Sequence, residues 1–215
     1  MSALGKIVAE GRTAVPLQFL ADMTVNRALA RESFEIGDEF LEEGSGLDAF
    51  DNDDAHYVIV YDKADGGYLG SVRMNPTTGP NMLRDAVPYL LESGTTVESA
   101  SVWEMSRMCA MTNGRSGEGR HSADVVVGEL LAGAVEDAKR AGVREIVCVA
   151  DDSTLDTLDR MGCLPRLMPR PAFGAGRAPH VAVFEVGEMP LRRIEKTTRT
   201  SGAVVQFGRR LRDRR

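Results

Sequence analysis

The chain has 215 residues, of which 43% are hydrophobic and 6% aromatic. That composition is sufficient for one α/β domain and excludes a disordered or fibrous protein. The formal net charge is −6, and no apolar run approaches the about 20 residues that a membrane-spanning helix needs.

Cysteine and histidine usage argues against a metal site. The cysteines show no C-x-x-C pair and the histidines no ligand spacing. These residues are Cys109, Cys148, Cys163, His56, His121 and His180. We therefore expect a cytoplasmic protein with reduced cysteines, no metal and no association with a membrane.

The predicted elements alternate between helices and strands. They are a helix over 18–43 that breaks near Gly37, strands over 57–62 and 68–75 joined by a turn at 63–67, a helix-like connection over 81–94, a strand over 99–111, a helix over 123–142, a strand over 144–151, a helix over 152–162, and strand-like segments over 165–170 and 180–187. This order predicts an α/β fold, with helices on both sides of one mixed, largely antiparallel sheet.

The end of the chain differs in charge from the rest. Residues 190–215 contain nine Lys/Arg and two acidic residues. Such a segment can bind nucleic acid, a membrane or an acidic protein, but a solvated end that lies against the acidic body is the simpler interpretation. We predict one domain over 1–190 and a basic, flexible tail over 191–215.

Four segments carry a family resemblance. They are DAFDNDDAHYVIVYD from Asp48, GSVRMNPTTGPNMLRDAVPYLL from Gly70, VWEMSRMCA from Val102, and REIVCVADDSTLDTLDRMGC from Arg144. In this order they resemble the LuxI-type acyl-homoserine lactone synthases over about residues 27–187. The resemblance implies a GNAT-like, three-layer α/β/α fold.

Three positions differ from the pattern of that family. Phe34 and Phe40 keep a six-residue step, with Phe where the family has Trp, and Arg31 is one of two nearby arginines, neither at the usual offset. Val87 stands where the family generally has Phe, which predicts a roomier acyl side. By resemblance we assign Arg31, Phe34, Phe40 and Val87 to substrate binding.

The resemblance implies two reactions on S-adenosylmethionine, which is a substrate here, so no cofactor is expected. The α-amine attacks an acyl thioester, and the carboxylate then displaces methylthioadenosine to close a lactone. A free α-amine has a pKa of about 8, so the first step needs a base, for which we predict Glu104. Asp48 and Asp51 would orient the cationic substrate, while Arg73 and Arg107 would mainly brace these acids.

The predicted strand poses a geometric problem. Glu104 and Arg107 are three residues apart, so in a regular strand they point to opposite faces. A β-bulge would bring both to one cleft. We therefore predict an irregularity over Met105–Arg107. Trp103, Ser106 and Cys148 are further candidates for substrate contact, although Trp103 and Cys148 are typical core residues as well.

The acyl donor is expected to be a thioester of acyl carrier protein or of coenzyme A. The Gly-rich stretch 114–119 lacks the Gln or Arg with which GNAT enzymes begin their pyrophosphate loop, which favours the carrier protein. An acidic carrier needs a basic docking surface. The candidates are Lys139, Arg140 and Arg144, together with Arg160 and Arg166.

Two other functions fit parts of the sequence. One is a GNAT-type enzyme that acylates another amine from acetyl-coenzyme A. The other is a non-catalytic module of the same fold that binds nucleic acid through its basic tail. The presence of all five charged residues that the resemblance assigns to the site argues against it; they are Asp48, Asp51, Arg73, Glu104 and Arg107.

Overall fold

An eight-stranded sheet organises the part of the chain that the computed structural model describes, residues 3–30, 46–111, 121–169, 171, 179–198 and 205–208. The strands are β1 Leu4–Glu10, β2 His56–Asp62, β3 Tyr68–Pro76, β4 Val102–Ala110, β5 Glu145–Ala150, β6 Arg166–Leu167, β7 His180–Glu185 and β8 Val205–Gly208. The helices are α1 Leu17–Ala30, α2 Met82–Asp85, α3 Ala123–Arg140, α4 Asp152–Arg160 and α5 Glu188–Thr198.

The strand order is β6-β7-β5-β4-β3-β2-β1-β8. Within the described ranges, the β4–β5 and β1–β8 pairs are parallel and the other pairs are antiparallel. The predicted mixed, largely antiparallel sheet is therefore confirmed. β4 and β5 pair only from Val102 to Met105, so the two strands separate in their second halves.

The local signals of the sequence explain most of these elements. The β2–β3 hairpin forms at the predicted turn, where Gly66 has a φ of 73°. Helix α3 begins where the Ser122 side chain accepts a hydrogen bond from the N–H of Val125. It ends just before Gly142, whose φ of 79° is the left-handed conformation typical of a helix stop.

The two faces of the sheet pack against different layers. One face is buried beneath α3 and α5 in a core that includes Val58, Met74, Met105 and Leu130. The opposite face meets α1, the segment around Phe50, and α2. Arg73 and Glu104 lie on this second face. Their strand neighbours Met74 and Met105 belong to the core beneath α3, and adjacent residues of a strand point to opposite faces.

The sequence analysis missed three elements, β1, α5 and β8. Helix α5 crosses the predicted domain boundary at 190 and buries Ile194 completely against the α3 layer. This segment is rich in charged residues, so its few apolar residues at helical spacing were not recognised as a helix. The Arg31, Phe34 and Phe40 positions and the stretch 114–119 lie outside the described residues. None of the described helices is long and apolar enough to cross a membrane.

The burial of Ile194 predicts that α5 stabilises the domain. Ile194→Ala removes side-chain atoms from a fully packed site, so we expect the free energy of unfolding to fall by about 2–4 kcal/mol. Urea denaturation measures this change. Arg192→Ala, on the exposed side of α5, is the control and should alter stability by less than about 0.5 kcal/mol. Equal stability of the two variants would contradict a structural role for α5.

Candidate functional site

Asp48 and Asp51 lie in a tight turn that precedes β2. The backbone N–H of Asp48 donates to Oδ2 of Asp51 at 2.9 Å, and the N–H of Phe50 donates to Oδ1 of Asp48 at 2.9 Å. Each carboxylate thus fixes the backbone that carries the other. Both aspartates are buried, so their charges require partners.

Arg73 of β3 supplies charge to both aspartates. Its Nη1 lies 2.5 Å from Oδ1 of Asp48 and 3.1 Å from Oδ2 of Asp51, and its Nη2 donates to Oδ2 of Asp48 at 3.2 Å. Its Nε donates to the hydroxyl of Ser106 at 3.1 Å. Burial opposes the charge of Arg73, but Asp51 and Asp48 outweigh it and raise the pKa of Arg73 above its ordinary value.

Arg107 reaches the same carboxylate from β4. Its Nε and Nη2 lie 2.9 and 2.8 Å from Oδ2 of Asp48. This contact depends on the predicted irregularity, which is confirmed. The β3–β4 register shifts between Ser71 and Arg73, and Arg107 has a φ of 54°, so the side chain joins the face of Ser106.

A third arginine, Arg27 of α1, completes the network. Its Nη1 lies 2.7 Å from Oδ1 of Asp51, which also accepts the hydroxyl of Tyr57 at 2.9 Å. Burial of Asp51 is outweighed by Arg73 and Arg27, which hold the pKa of this carboxyl well below its ordinary value. The Nε and Nη2 atoms of Arg27 are buried without a hydrogen-bond partner in the described structure.

Arg27 is the site residue that the sequence assignment missed when Arg31 was chosen instead. Phe19, Met23 and Arg27 are four residues apart, and all three are buried on the inner face of α1. Arg27 thus follows two apolar residues at helical spacing. A cation at such a position is a signal that could have identified Arg27 as a site residue.

Glu104 lies on the same face of the sheet, fully buried. Its Oε2 accepts the N–H of Met82 at 2.8 Å and its Oε1 that of Leu83 at 2.7 Å. Burial raises the pKa of Glu104 to about 7, although those two N–H groups and the charge of Arg73 favour the ionised form. A carboxyl that titrates near neutrality, beside fixed charges, is suited to exchange a proton at physiological pH.

An apolar cluster adjoins Glu104. Val147 is its partner on β5, and the cluster continues over β7 and the segment that follows α2. Its members are Phe50, Met82, Leu83, Val87, Leu90, Val147, Val181 and Val183. Cζ of Arg73 lies 5.8 Å from the ring centroid of Phe50, so the charged network borders the cluster that contains Val87.

Two residues predicted to contact the substrate lie on the opposite face of the sheet from Glu104. Trp103 and Cys148 belong to the core beneath α3, where Trp103 packs on the ring of His56 with centroids 4.4 Å apart. Cys148 is the β5 partner of Met105, not of Glu104. Adjacent strand residues point to opposite faces, so neither side chain faces the charged network.

The proposed docking residues are also remote. Lys139 and Arg140 end α3, on the other side of the sheet from Glu104, and Lys139 pairs with Glu188. The N–H of Arg144 donates to Ser101 where β4 begins. The structure therefore does not bring this surface to the site. Arg160 and Arg166 form exposed ion pairs with Asp124 and Glu145.

Among the described residues there is no group of three or more His, Cys, Asp or Glu side chains that could hold a metal ion. The two aspartates instead use their oxygens on guanidiniums and backbone N–H groups.

Residues 38–181, more than half of the chain, match the family model for autoinducer synthases. The chain belongs to the autoinducer synthase family. An acyl-homoserine-lactone synthase of Ralstonia nicotianae is 35% identical over 116 residues, which are 54% of this chain and 56% of that protein. One from Rhizobium etli is 29% identical over 139 residues, 65% of this chain and 64% of that protein. The alignments thus span less than two thirds of these relatives.

Solved structures agree in fold. TofI, crystallised with an inhibitor and MTA, has a TM-score of 0.67 at 27% identity, covering 89% of this chain and 96% of that chain. BjaI, a CoA-dependent acyl-homoserine lactone synthase crystallised with SAM and isopentyl-CoA, has a TM-score of 0.75 at 18% identity, covering 96% of each chain. At that identity the second likeness concerns the fold alone. The predicted GNAT-like architecture is confirmed.

The buried network predicts that Arg27 contributes more to the stability of this family member than an exposed arginine that is also paired with one aspartate. Arg27→Met leaves the carboxylate of Asp51 buried with one cation fewer, so we expect a loss of about 3 kcal/mol in the free energy of unfolding. Arg84→Met, which breaks a partly exposed pair with Asp85, should cost less than about 1 kcal/mol. Urea titrations compare the two. Similar losses would show that burial does not set the contribution of Arg27.

Proposed function

We propose that this family member is an acyl-homoserine lactone synthase. It would transfer an acyl group from a thioester to the α-amine of S-adenosylmethionine and close the lactone with release of methylthioadenosine. The observation that carries the proposal is Glu104, a buried carboxyl with a pKa of about 7, which shares a face of the sheet with the paired aspartates and arginines. The names of the aligned relatives support the same reaction.

The first step is amide formation. Glu104 takes a proton from the α-ammonium, and the nitrogen lone pair then attacks the thioester carbonyl. A C–N bond forms, the C–S bond breaks, and the leaving sulfur receives the second proton of the nitrogen. The pKa of Glu104 lies close to the about 8 of a free amine, so the first transfer is nearly balanced in energy.

The second step is ring closure. A carboxylate oxygen of the acylated substrate attacks the carbon next to the sulfonium, a C–O bond forms, and the C–S pair leaves with methylthioadenosine. This displacement requires no proton transfer. It is intramolecular, so a bound conformation that holds the two atoms close can supply several kcal/mol of the acceleration.

The charged network would hold the substrate for both steps. Arg73 and Arg107 are engaged with Asp48, so they do not compete for the carboxylate that must act as nucleophile. The hydroxyl of Ser106 retains its own hydrogen, and Arg27 has two unused donors, so both can bind acceptor atoms of S-adenosylmethionine. The acyl chain would lie in the apolar cluster beside Glu104, where Val87 leaves more room than Phe.

A direct assay tests the proposed function. The purified chain is incubated with S-adenosylmethionine and, separately, with acyl carrier protein thioesters and coenzyme A thioesters of several acyl lengths, and mass spectrometry searches for lactones. We expect one donor class to yield an acyl-homoserine lactone and methylthioadenosine in equal amounts. If no donor yields a lactone, while acetyl-coenzyme A acylates another amine, the chain is a general N-acyltransferase instead.

The pKa of Glu104 predicts that the reaction rate depends on pH. The base must be ionised, so kcat/KM for S-adenosylmethionine should increase with pH and level off above a midpoint of about 7. Glu104→Gln removes the base and should lower kcat by about 100-fold or more. Steady-state kinetics from pH 5.5 to 9 measure both effects.

The matched control is Glu92→Gln, an exposed carboxyl that should leave kcat and the pH profile unchanged. Circular dichroism and thermal unfolding verify that the Glu104 variant is folded, since the carboxylate also anchors the start of α2. A folded Glu104→Gln enzyme with an unaltered pH profile would exclude Glu104 as the base.

A further inference from the structure

Asn75 of β3 has a buried hydrogen-bond acceptor that nothing in the described structure satisfies. Its Nδ2 donates to the carbonyl of Phe50 at 3.0 Å, while its Oδ1 is inaccessible to solvent and has no partner. The orientation of the amide is fixed, because a flipped amide would place two acceptor oxygens against each other. A buried carbonyl without a donor is costly to the fold and is therefore uncommon.

The position of Asn75 places this acceptor beside the proposed base. Asn75 and Glu104 are directly opposite each other on β3 and β4, and both lie on the face of the charged network. Side chains so paired have Cβ atoms about 5 Å apart. Both residues are fully buried.

Among the described residues, no neighbouring cation is available to Asn75. Arg73, two residues earlier on the same face, directs its three nitrogens to Ser106, Asp48 and Asp51. Glu104 offers only oxygen atoms, each of which accepts one backbone N–H and retains further acceptor capacity. In the part of the chain that the structure describes, this patch therefore presents acceptors without a free donor, and the group that fits it carries several hydrogens on one atom.

We propose that Asn75 binds the α-amine of the substrate, with its Oδ1 accepting one N–H while Glu104 accepts another. This inference rests on the proposed function, since it names the part of S-adenosylmethionine that this corner of the site would recognise. An ammonium has three donors and a positive charge, so it satisfies both acceptors and compensates the carboxylate.

The arrangement gives Asn75 a part in the chemistry. One proton of the ammonium passes to Glu104, and a second N–H remains on the amide oxygen, which is too weak a base to take it. The nitrogen is then held at two points, and its new lone pair has a fixed direction toward the thioester. Orientation of this kind raises the rate of attack without any change in the base.

Paired binding measurements test the assignment. Asn75→Leu keeps the approximate size of the side chain and removes the acceptor. The probes are S-adenosylmethionine, which has the amine, and methylthioadenosine, which lacks the whole amino-acid part. We expect the Kd of S-adenosylmethionine to increase about tenfold or more, as for a lost hydrogen bond to a charged group, and that of methylthioadenosine to change less than about twofold.

Thermal unfolding separates this role from a structural one. Asn75→Leu removes an unsatisfied polar atom together with a single bond to Phe50, so we expect Tm to be maintained. Asn81→Leu is the contrast, because the Asn81 side chain caps α2 with its oxygen and donates to Thr77 and Gly79 with its nitrogen. That variant should lower Tm.

A second substitution keeps the proposal testable if the leucine variant does not fold. Asn75→Asp retains an acceptor for the amine and adds a negative charge opposite Glu104. We expect S-adenosylmethionine still to bind, and the rising limb of the pH–rate profile to move to higher pH, because a like charge raises the pKa of a carboxyl. If the rising limb of the pH–rate profile does not move, the side chains of residue 75 and Glu104 do not interact, which contradicts the proposal.

The outcomes separate this inference from the proposed function. If the wild-type chain makes no lactone, the proposed function fails. If it makes lactone but Asn75→Leu binds both probes as the wild type does, or loses both equally, the inference alone is wrong. A variant that changes only the preference between 3-hydroxyacyl and unsubstituted donors would assign Asn75 to the acyl group and overturn the assignment to the amine.

Discussion

The ion pair between Asp48 and Arg73 is the interaction on which the rest of the site depends. Both side chains are completely buried, and a buried charge is costly unless a partner and further hydrogen bonds compensate it. Asp48 meets that condition with Arg73, Arg107 and the N–H of Phe50. The pair therefore joins the turn before β2 to two central strands, and through Asp51 it extends to Arg27 on α1.

The strained backbone at Arg107 follows from the same requirement. A left-handed conformation costs a non-glycine residue about 1–2 kcal/mol. In a regular strand, however, the guanidinium of Arg107 would point into the apolar core beneath α3, where no carboxylate of the network could reach it. The bulge instead aligns Arg107 with Ser106 on the site face. Strain in one residue is thus offset by a charged contact to Asp48.

Local rules account for much of what the sequence could predict. The β2–β3 hairpin, β4 and α3 follow from turn residues, alternation and helix ends, and the bulge followed from the three-residue interval between Glu104 and Arg107. The same alternation should have separated Trp103 from Glu104, since neighbours in a strand face opposite sides. The assignment of Trp103 to substrate contact came from the family resemblance, not from this argument.

Other features could not be obtained from local pattern. Long-range contacts determine that β1 pairs with the distant β8 and that Cys148 is opposite Met105. A shift of one residue in such a pairing would move every side chain of the strand to the other face of the sheet. Helical periodicity could place Arg27 on the buried face of α1, but it could not identify the carboxylate that compensates the charge. That partner is Asp51, which lies 24 residues away in sequence.

The polar groups of the site divide into two kinds. Asp48, Asp51 and Arg73 have their charged atoms engaged by other parts of the chain, so they set the shape of the site. Glu104, Arg27 and Asn75 retain unused capacity in positions that solvent does not reach. Such capacity costs stability in the free protein and is recovered only when a ligand supplies the missing partner. On the proposed function, the unsatisfied atoms of this site would therefore contact the substrate, whereas the saturated ones would hold them in place.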